Sequence, residues 1–189
     1  MPYLEETTLN IALIHHPVLN KRREVIGSAV TNLDIHDIAR TARTYGVANY
    51  YIATPYEDQH ILVRELLDHW LCGHGASYNP ARGEALRIIS LFHSLGEIVE
   101  SLQQQYGGKP LIVATSATVQ VDVLDYADVR REMTTKRPVL LLFGTAHGLA
   151  PEILQVADGQ LPPLAGKGNY NHLAVRSAAA IIIDRLLGS

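Results

Sequence analysis

The sequence predicts an α/β fold, a parallel sheet with helices on both faces. Three observations carry that expectation. Short apolar runs recur at Leu9–His15, Asn49–Ala53, Leu111–Thr115 and Val139–Phe143. Stretches with helical spacing separate them, and an alternation of strands with helices is the pattern of a parallel sheet covered on both sides. Glycine and proline punctuate the junctions, as turns between such elements require.

Taken in order, Leu9–His15 alternates and then turns apolar, as a strand ending in a loop at Pro17. Val25–Val30 reads as a second short strand. Asn32-Leu33-Asp34 reads as a loop leading into a helix cap, and Ile35–Tyr45 as the helix. Ile35, Ile38, Ala39 and Ala42 form its apolar stripe, and Gly46 is its stop. Asn49–Ala53 is a buried strand. Glu57–Leu71 is helical, with Ile61, Leu62, Leu66, Leu67 and Trp70 inward. Cys72–Asn79 holds glycine and polar turn residues and reads as a loop. Arg82–Tyr106 reads as a second long helix, bent near Gly96. After the Leu111–Thr115 strand come a short helix over Tyr126–Thr134 and the Val139–Phe143 strand. A helical turn or two follows over Glu152–Val156, and Asn171–Leu187 is the final helix.

A length of 189 residues suggests one domain, 1–189. With 47% hydrophobic and 19% charged residues, the composition is that of a globular chain with a full core. No apolar run approaches the roughly 20 residues of a membrane helix. Met1–Glu6 is acidic and lacks the basic start of a signal peptide. A lone Cys72 excludes an internal disulfide framework and fits a reducing, cytoplasmic setting. The net charge of −3 argues against a protein that coats nucleic acid along its surface, though Lys21-Arg22-Arg23 and Arg40/Arg43 are clustered. Nine histidines are present, yet none has metal-ligand spacing. His15 and His16 are adjacent and would face opposite sides of a strand. No metal is expected.

The last third is the most informative. Val139–Phe143 runs into the loop Gly144-Thr145-Ala146-His147-Gly148. A second loop, Leu161-Pro162-Pro163-Leu164-Ala165-Gly166, follows. Then comes Tyr170-Asn171-His172-Leu173-Ala174-Val175-Arg176-Ser177, opening a helix rich in small residues. Two such loops bring backbone N–H and C=O groups to one place, which suits a flat, neutral purine edge better than a phosphate chain. No Gly-x-Gly-x-x-Gly follows the first strand, where His15-His16-Pro17 stands, and this speaks against a Rossmann oxidoreductase.

These loops resemble the cofactor-binding end of the SPOUT (SpoU–TrmD) RNA methyltransferases. Asn32–Ala42 resembles the first motif of the same family, in which an asparagine opens the loop and an arginine faces the RNA. Thr115-Ser116-Ala117, Asn79-Pro80-Ala81-Arg82 and Tyr170-Asn171-His172-Leu173 are similar to an uncharacterised bacterial branch of that superfamily. The resemblance spans essentially the whole chain. One departure stands: where the SpoU branch has a glutamate, this chain has Ala146 in a loop one residue shorter, so that glutamate's role does not transfer.

The resemblance implies a SPOUT fold with a C-terminal trefoil knot from Phe143 to Leu187. It implies methyl transfer from S-adenosyl-L-methionine (AdoMet) to a tRNA or rRNA nucleotide, at a base nitrogen or a ribose 2′-oxygen. It also implies a cytoplasmic homodimer that packs the last helix and its Ala174, Ala178, Ala179 and Ala180 against a second subunit. The implied cofactor residues are Thr115, Phe143, Gly144, Thr145, Gly148, Leu161, Leu164, Gly166, Asn171, His172, Leu173 and Ser177. The implied catalytic residues are Arg40 and Asn32. Each has a plainer reading. The loops are also ordinary strand–loop–helix punctuation. Asn171 is a good helix N-cap. Arg40 suits an exposed pair with Asp37 one turn away, and Arg22, Arg23, Arg82 and Arg176 suit a solvated surface. The Trp70–Arg82 segment is either an RNA-stacking loop or a lid with Trp70 in the core. The alternative to an enzyme is a non-catalytic AdoMet- or nucleotide-binding module.

Overall fold

The computed structural model describes residues 7–119, 121–168 and 170–188; the acidic start, Met1–Glu6, lies outside them. The centre of the fold is strand β1 (Leu9–Ile14), every residue of which is buried. It is flanked by β4 (Asn49–Ala53) on one side and β7 (Val139–Gly144) on the other, both parallel to it. Beyond β4 lies β5 (Ile89–Phe92), and beyond β7 lie β6 (Leu111–Ala114) and a two-residue β8 (Gly159–Gln160). The sheet order is β5-β4-β1-β7-β6-β8, and every pairing is parallel. A small antiparallel ribbon, β2 (Val18–Leu19) and β3 (Val25–Ile26), stands apart from it.

Side chains on successive residues point to opposite faces of a strand, and both faces are apolar here. Ile11, Leu13, Tyr50, Ile52, Leu141 and Phe143 enter one core layer; Ala12, Ile14, Tyr51, Ala53, Leu140 and Leu142 enter the other. The first layer is covered by α1 (Asn32–Tyr45), α2 (Glu57–Leu71), α6 (Tyr126–Thr134) and α8 (Val175–Leu187), through Ile35, Val63, Val129 and Ile183. The second is covered by α5 (Leu95–Tyr106) and α7 (Pro151–Val156), through Ile98 and Ile153. This is the two-sided α/β sheet the sequence predicts.

Helix α1 begins earlier than its apolar stripe suggests. Thr31, in extended conformation, is the N-cap and accepts from the Asp34 N–H, so Asn32-Leu33-Asp34 is the first turn of the helix and not a loop. Its end is as read: Gly46 takes the left-handed conformation at φ 76°. Helix α2 has the predicted bounds, but Ile61 and Leu62 are about half exposed, and His60 and Val63 are the buried residues of the helix. The two apolar side chains sit on the flank of the stripe.

The segment after α2 departs most from expectation. Cys72–Asn79 contains a short helix, α3 (His74–Tyr78), and Asn79 caps α4 (Pro80–Leu86) by accepting from the Arg82 N–H. The predicted long helix over 82–106 is three elements: the end of α4, the edge strand β5, and α5 with Ser94 as its N-cap. Trp70 is partly buried against the core, with the Arg82 guanidinium 4.6 Å over its ring. Trp70 and Arg82 stack on each other, while His74 and Tyr78 of the same segment are exposed.

The last helix starts at Val175, four residues after the expected Asn171. Its N-cap is Ala174, with no side-chain hydrogen bond, so Asn171 is not the cap. Tyr170–Ala174 is non-helical and free to line a site.

Candidate functional site

A cavity of about 600 Å³ opens at the carboxyl ends of β6 and β7. This is where open parallel sheets place ligands, because the loops leaving the strands converge there. Three of its walls come from Thr115–Thr118 after β6, Phe143–Leu149 at the end of β7, and Leu161, Pro162 and Leu164 after β8. A fourth comes from Asn171–Val175 with Ala178 and Ile182 of α8, and a fifth from Ser28, Thr31 and Asp34 at the entry to α1.

The cavity therefore gathers Thr115, Phe143, Gly144, Thr145, Gly148, Leu161, Leu164, Asn171, His172 and Leu173 from the residues singled out in the sequence. Gly166 and Ser177 lie outside its lining. For Ser177 the reason is helical spacing: Val175, Ala178 and Ile182 share the inward face, and Ser177 is exposed off it. Asn32 and Arg40 are exposed on α1 and do not line the cavity within one chain. Sequence reading passed over Ser28 and Thr31. Thr31-x-x-Asp34 before an apolar run is a signature of the helix start, though not of its place at the cavity.

Several hydrogen bonds fix the walls. Asn171 Nδ2 donates to the Ala117 carbonyl at 3.2 Å, joining the loop before α8 to the loop after β6. The Thr115 hydroxyl is turned back to the sheet and donates to the Leu142 carbonyl at 2.9 Å. Thr145 Oγ1 donates to the Ile14 carbonyl at 3.0 Å and lies 2.5 Å from Ser28 Oγ, which is 3.1 Å from His15 Nδ1. With the Thr145 proton committed to Ile14, Ser28 donates to Thr145 and His15 Nδ1–H donates to Ser28. His15 Nε2 is then a bare lone pair in the core, without a partner. Burial lowers the His15 pKa to about 4, because protonation would place a charge there.

The glycines differ in what they do. A Cβ on Gly144 would stand 2.7 Å from the Leu149 N and 3.0 Å from the Gly148 carbonyl carbon, so the 145–149 loop folds back onto it. Gly148 has φ +107°, which favours glycine. The loop is held by the β2 ribbon, through Leu19 N–H to the Gly148 carbonyl and His147 N–H to the Leu19 carbonyl, both at 2.9 Å. Around Gly166 there is open space.

Asp34 is 6% exposed and carries the negative charge of the cavity wall. Its carboxylate accepts from Thr31 Oγ1 at 2.6 Å and from Arg176 Nη1 at 3.1 Å. Arg176 Nε also lies 3.7 Å from Asp37. Arg176 is thus a tie between α8 and α1, not a solvated surface charge. Asp37 faces Arg176, and among the described residues no ion pair involves Arg40.

Known proteins resemble the chain along its length. A protein of Oleidesulfovibrio alaskensis named tRNA (guanine-N(1)-)-methyltransferase is 49% identical over 180 residues, covering 95% of this chain. This chain spans only 42% of that relative's own length. An uncharacterized protein of Aquifex aeolicus is 38% identical over 177 residues, covering 93% of this chain and 86% of its own length. In structure, the chain is similar to the SpoU methyltransferase AviRb from Streptomyces viridochromogenes in complex with AdoMet. The TM-score there is 0.57 at 17% identity, over 97% of this chain and 58% of AviRb. The fold is therefore that of the SpoU methyltransferases. The sequence profile described as SAM-dependent RNA methyltransferase matches residues 8–188, and the chain belongs to that family.

Proposed function

We propose that this chain transfers a methyl group from AdoMet to a nucleotide of RNA, with tRNA as the first substrate class, and that it does so as a single domain working in a cytoplasmic homodimer. The observation that carries the reading is the convergence of three loops and the α8 start on one cavity at the carboxyl ends of β6 and β7. The relatives' name supports tRNA, although it describes proteins of which this chain spans 42%.

The cavity fits the cofactor. Its volume is within the range of about 300–1,000 Å³ typical of small-molecule sites. Leu149, Leu161 and Leu164 offer an apolar slot for a purine, and the 144–148 loop offers backbone groups to its edge. AdoMet supplies a methyl group on a sulfonium that leaves as a neutral thioether, so no general acid is needed. What remains for the chain is to hold the acceptor in line, exclude water and provide an outlet for the proton that a ring N–H or a 2′-hydroxyl acceptor gives up as the new bond forms. Arg40 and Asn32, exposed on α1, would act on the RNA side, at the cavity of the other subunit.

For the trefoil knot, the supporting observation is the path of the chain after β8. It leaves the sheet edge, passes the ends of β6 and β7 at the cavity, and reaches α8, which packs on α1. For the dimer, Leu33, Leu173 and Ile181 are exposed apolar residues near α1 and α8. Ala179 does not serve that surface, since it is buried in its own subunit, and Ala178 faces the cavity. No described helix is long and apolar enough to cross a membrane.

The test is transfer of label from methyl-tritiated AdoMet to bulk tRNA and rRNA, followed by nucleoside analysis, with sedimentation velocity run on the same sample. A labelled nucleoside that appears only with the intact protein supports the reading. AdoMet binding without transfer to any RNA identifies a non-catalytic module.

A further inference from the structure

A second cluster of chemistry stands at the carboxyl ends of β4 and β5. Glu57 and His60 lie three residues apart at the start of α2, hence on one face of the helix. His93 follows β5, the strand paired to β4. One ligand atom from each of the three lies within 4.8 Å of the others. None of them lines the cavity described above.

The cluster has the construction of a coordination site. His60 is buried, and its Nε2 lies 2.7 Å from the Thr54 carbonyl. A carbonyl only accepts, so Nε2 carries the proton and Nδ1 presents its lone pair to the cluster. A ring N–H held by a carbonyl is the usual support behind a metal-binding imidazole. The rings of His60 and His93 meet edge to face at 4.3 Å, and His93 Nε2 lies 4.0 Å from Glu57 Oε2. A positive group already occupies this corner. Arg64 lies 2.7 Å from Glu57 Oε1 and 3.4 Å from His60 Nδ1. Its hydrogen bond also holds the Glu57 carboxyl below its ordinary pKa. The Arg64 side chain is 53% exposed, so it can swing away.

We propose that Glu57, His60 Nδ1 and His93 Nε2 form a binding site for a divalent cation of the zinc class. Two imidazoles and a carboxylate suit a borderline-soft ion, with a fourth position left for water. Bonds of about 2.0–2.2 Å require ligand atoms roughly 3.3–3.5 Å apart. Glu57 and His93 are exposed enough to close that gap. The ion would replace Arg64 and fasten the edge strand β5 to α2.

The test uses tag-free protein stripped with chelator and titrated with Co²⁺, read by visible absorption, and with Zn²⁺, read by calorimetry. Wild type is expected to bind one equivalent with cobalt bands of a nitrogen/oxygen site. His93→Ala and Glu57→Gln should each weaken binding at least tenfold, with the thermal midpoint in chelator unchanged from wild type. Arg64→Ala should tighten binding, because it removes the competing cation. Absence of a stoichiometric cobalt complex in wild type overturns the site. So does binding by His93→Ala as tight as wild type, which would place the ion elsewhere.

Discussion

Arg176 Nη1 on α8 and Asp34 Oδ1 on α1 meet at 3.1 Å, so the two helices that bound the cavity are joined by an ion pair with one nearly buried partner. Removing the guanidinium by Arg176→Ala strands the Asp34 carboxylate. Breaking a fully buried pair costs about 3–5 kcal/mol. Arg176 is 35% exposed, so water offsets part of that, and a loss of ~1–2 kcal/mol is expected. Urea unfolding of Arg176→Ala, Asp34→Asn and the double variant checks it. Strictly additive losses would show that the pair is not coupled.

Gly144 and Gly166 separate loop packing from ligand contact. Gly144→Val drives a side chain into the Leu149 backbone. It should lower stability by ~1–3 kcal/mol, as overpacking does, and lose AdoMet binding with the loop. Gly166→Val has open space around it. It should unfold like wild type and bind AdoMet within threefold, because Gly166 stands outside the cavity lining. Calorimetry and thermal melts read both. Loss of affinity in Gly166→Val with an unchanged melt would mean that the 161–168 loop closes onto the cofactor.

His15 makes stability depend on pH. Its folded pKa is about 4, against an ordinary 6.5. Between these values the unfolded chain binds more protons, so the folded chain is destabilised as the pH falls through that window. The full effect is ~3 kcal/mol and is reached below about pH 4. The difference in unfolding free energy between wild type and His15→Gln, measured from pH 7 to 4, should follow this curve. A difference that does not change with pH would mean that His15 is accessible to water.

Arg40→Ala should retain AdoMet affinity and lose at least tenfold in methyl transfer, because the residue stands outside the cavity. A structural pairing with Asp37 is a poor competitor, since the described partner of Asp37 is Arg176. Calorimetry and tritium transfer on one preparation check both halves. Wild-type transfer would leave Arg40 without a role in the reaction.

The central strands and α1, α2 and α6 were legible because each has a full run of its own period. Strand β5 was not. Ile89–Phe92 has only four residues, and its neighbours Leu86, Leu95 and Ile98 continue an apolar spacing that a helix also satisfies. Ser94 is the local sign of the break, as the side chain that caps α5. Asn171 misled in the opposite way. Asparagine is a favoured N-cap, but here its amide is engaged by the Ala117 carbonyl, a tertiary contact with no trace in local sequence. The Gly144 loop was legible from its glycines. The wall formed by Ser28, Thr31 and Asp34 was not, because only the folded sheet brings the entry and first turn of α1 against the end of β7.

The central pairing of the sheet sets an order of assembly. Leu9 of β1 is registered on Val139 of β7, while its other neighbour, β4, begins at Asn49. During synthesis β1 can therefore gain one neighbour early and must wait for most of the chain before gaining the second. Until then one edge of a strand destined for full burial is open to pairing with other chains. Such distant pairing makes folding slow. A chain truncated before Val139 lacks the second neighbour of β1 and is expected to aggregate instead of leaving a smaller folded unit.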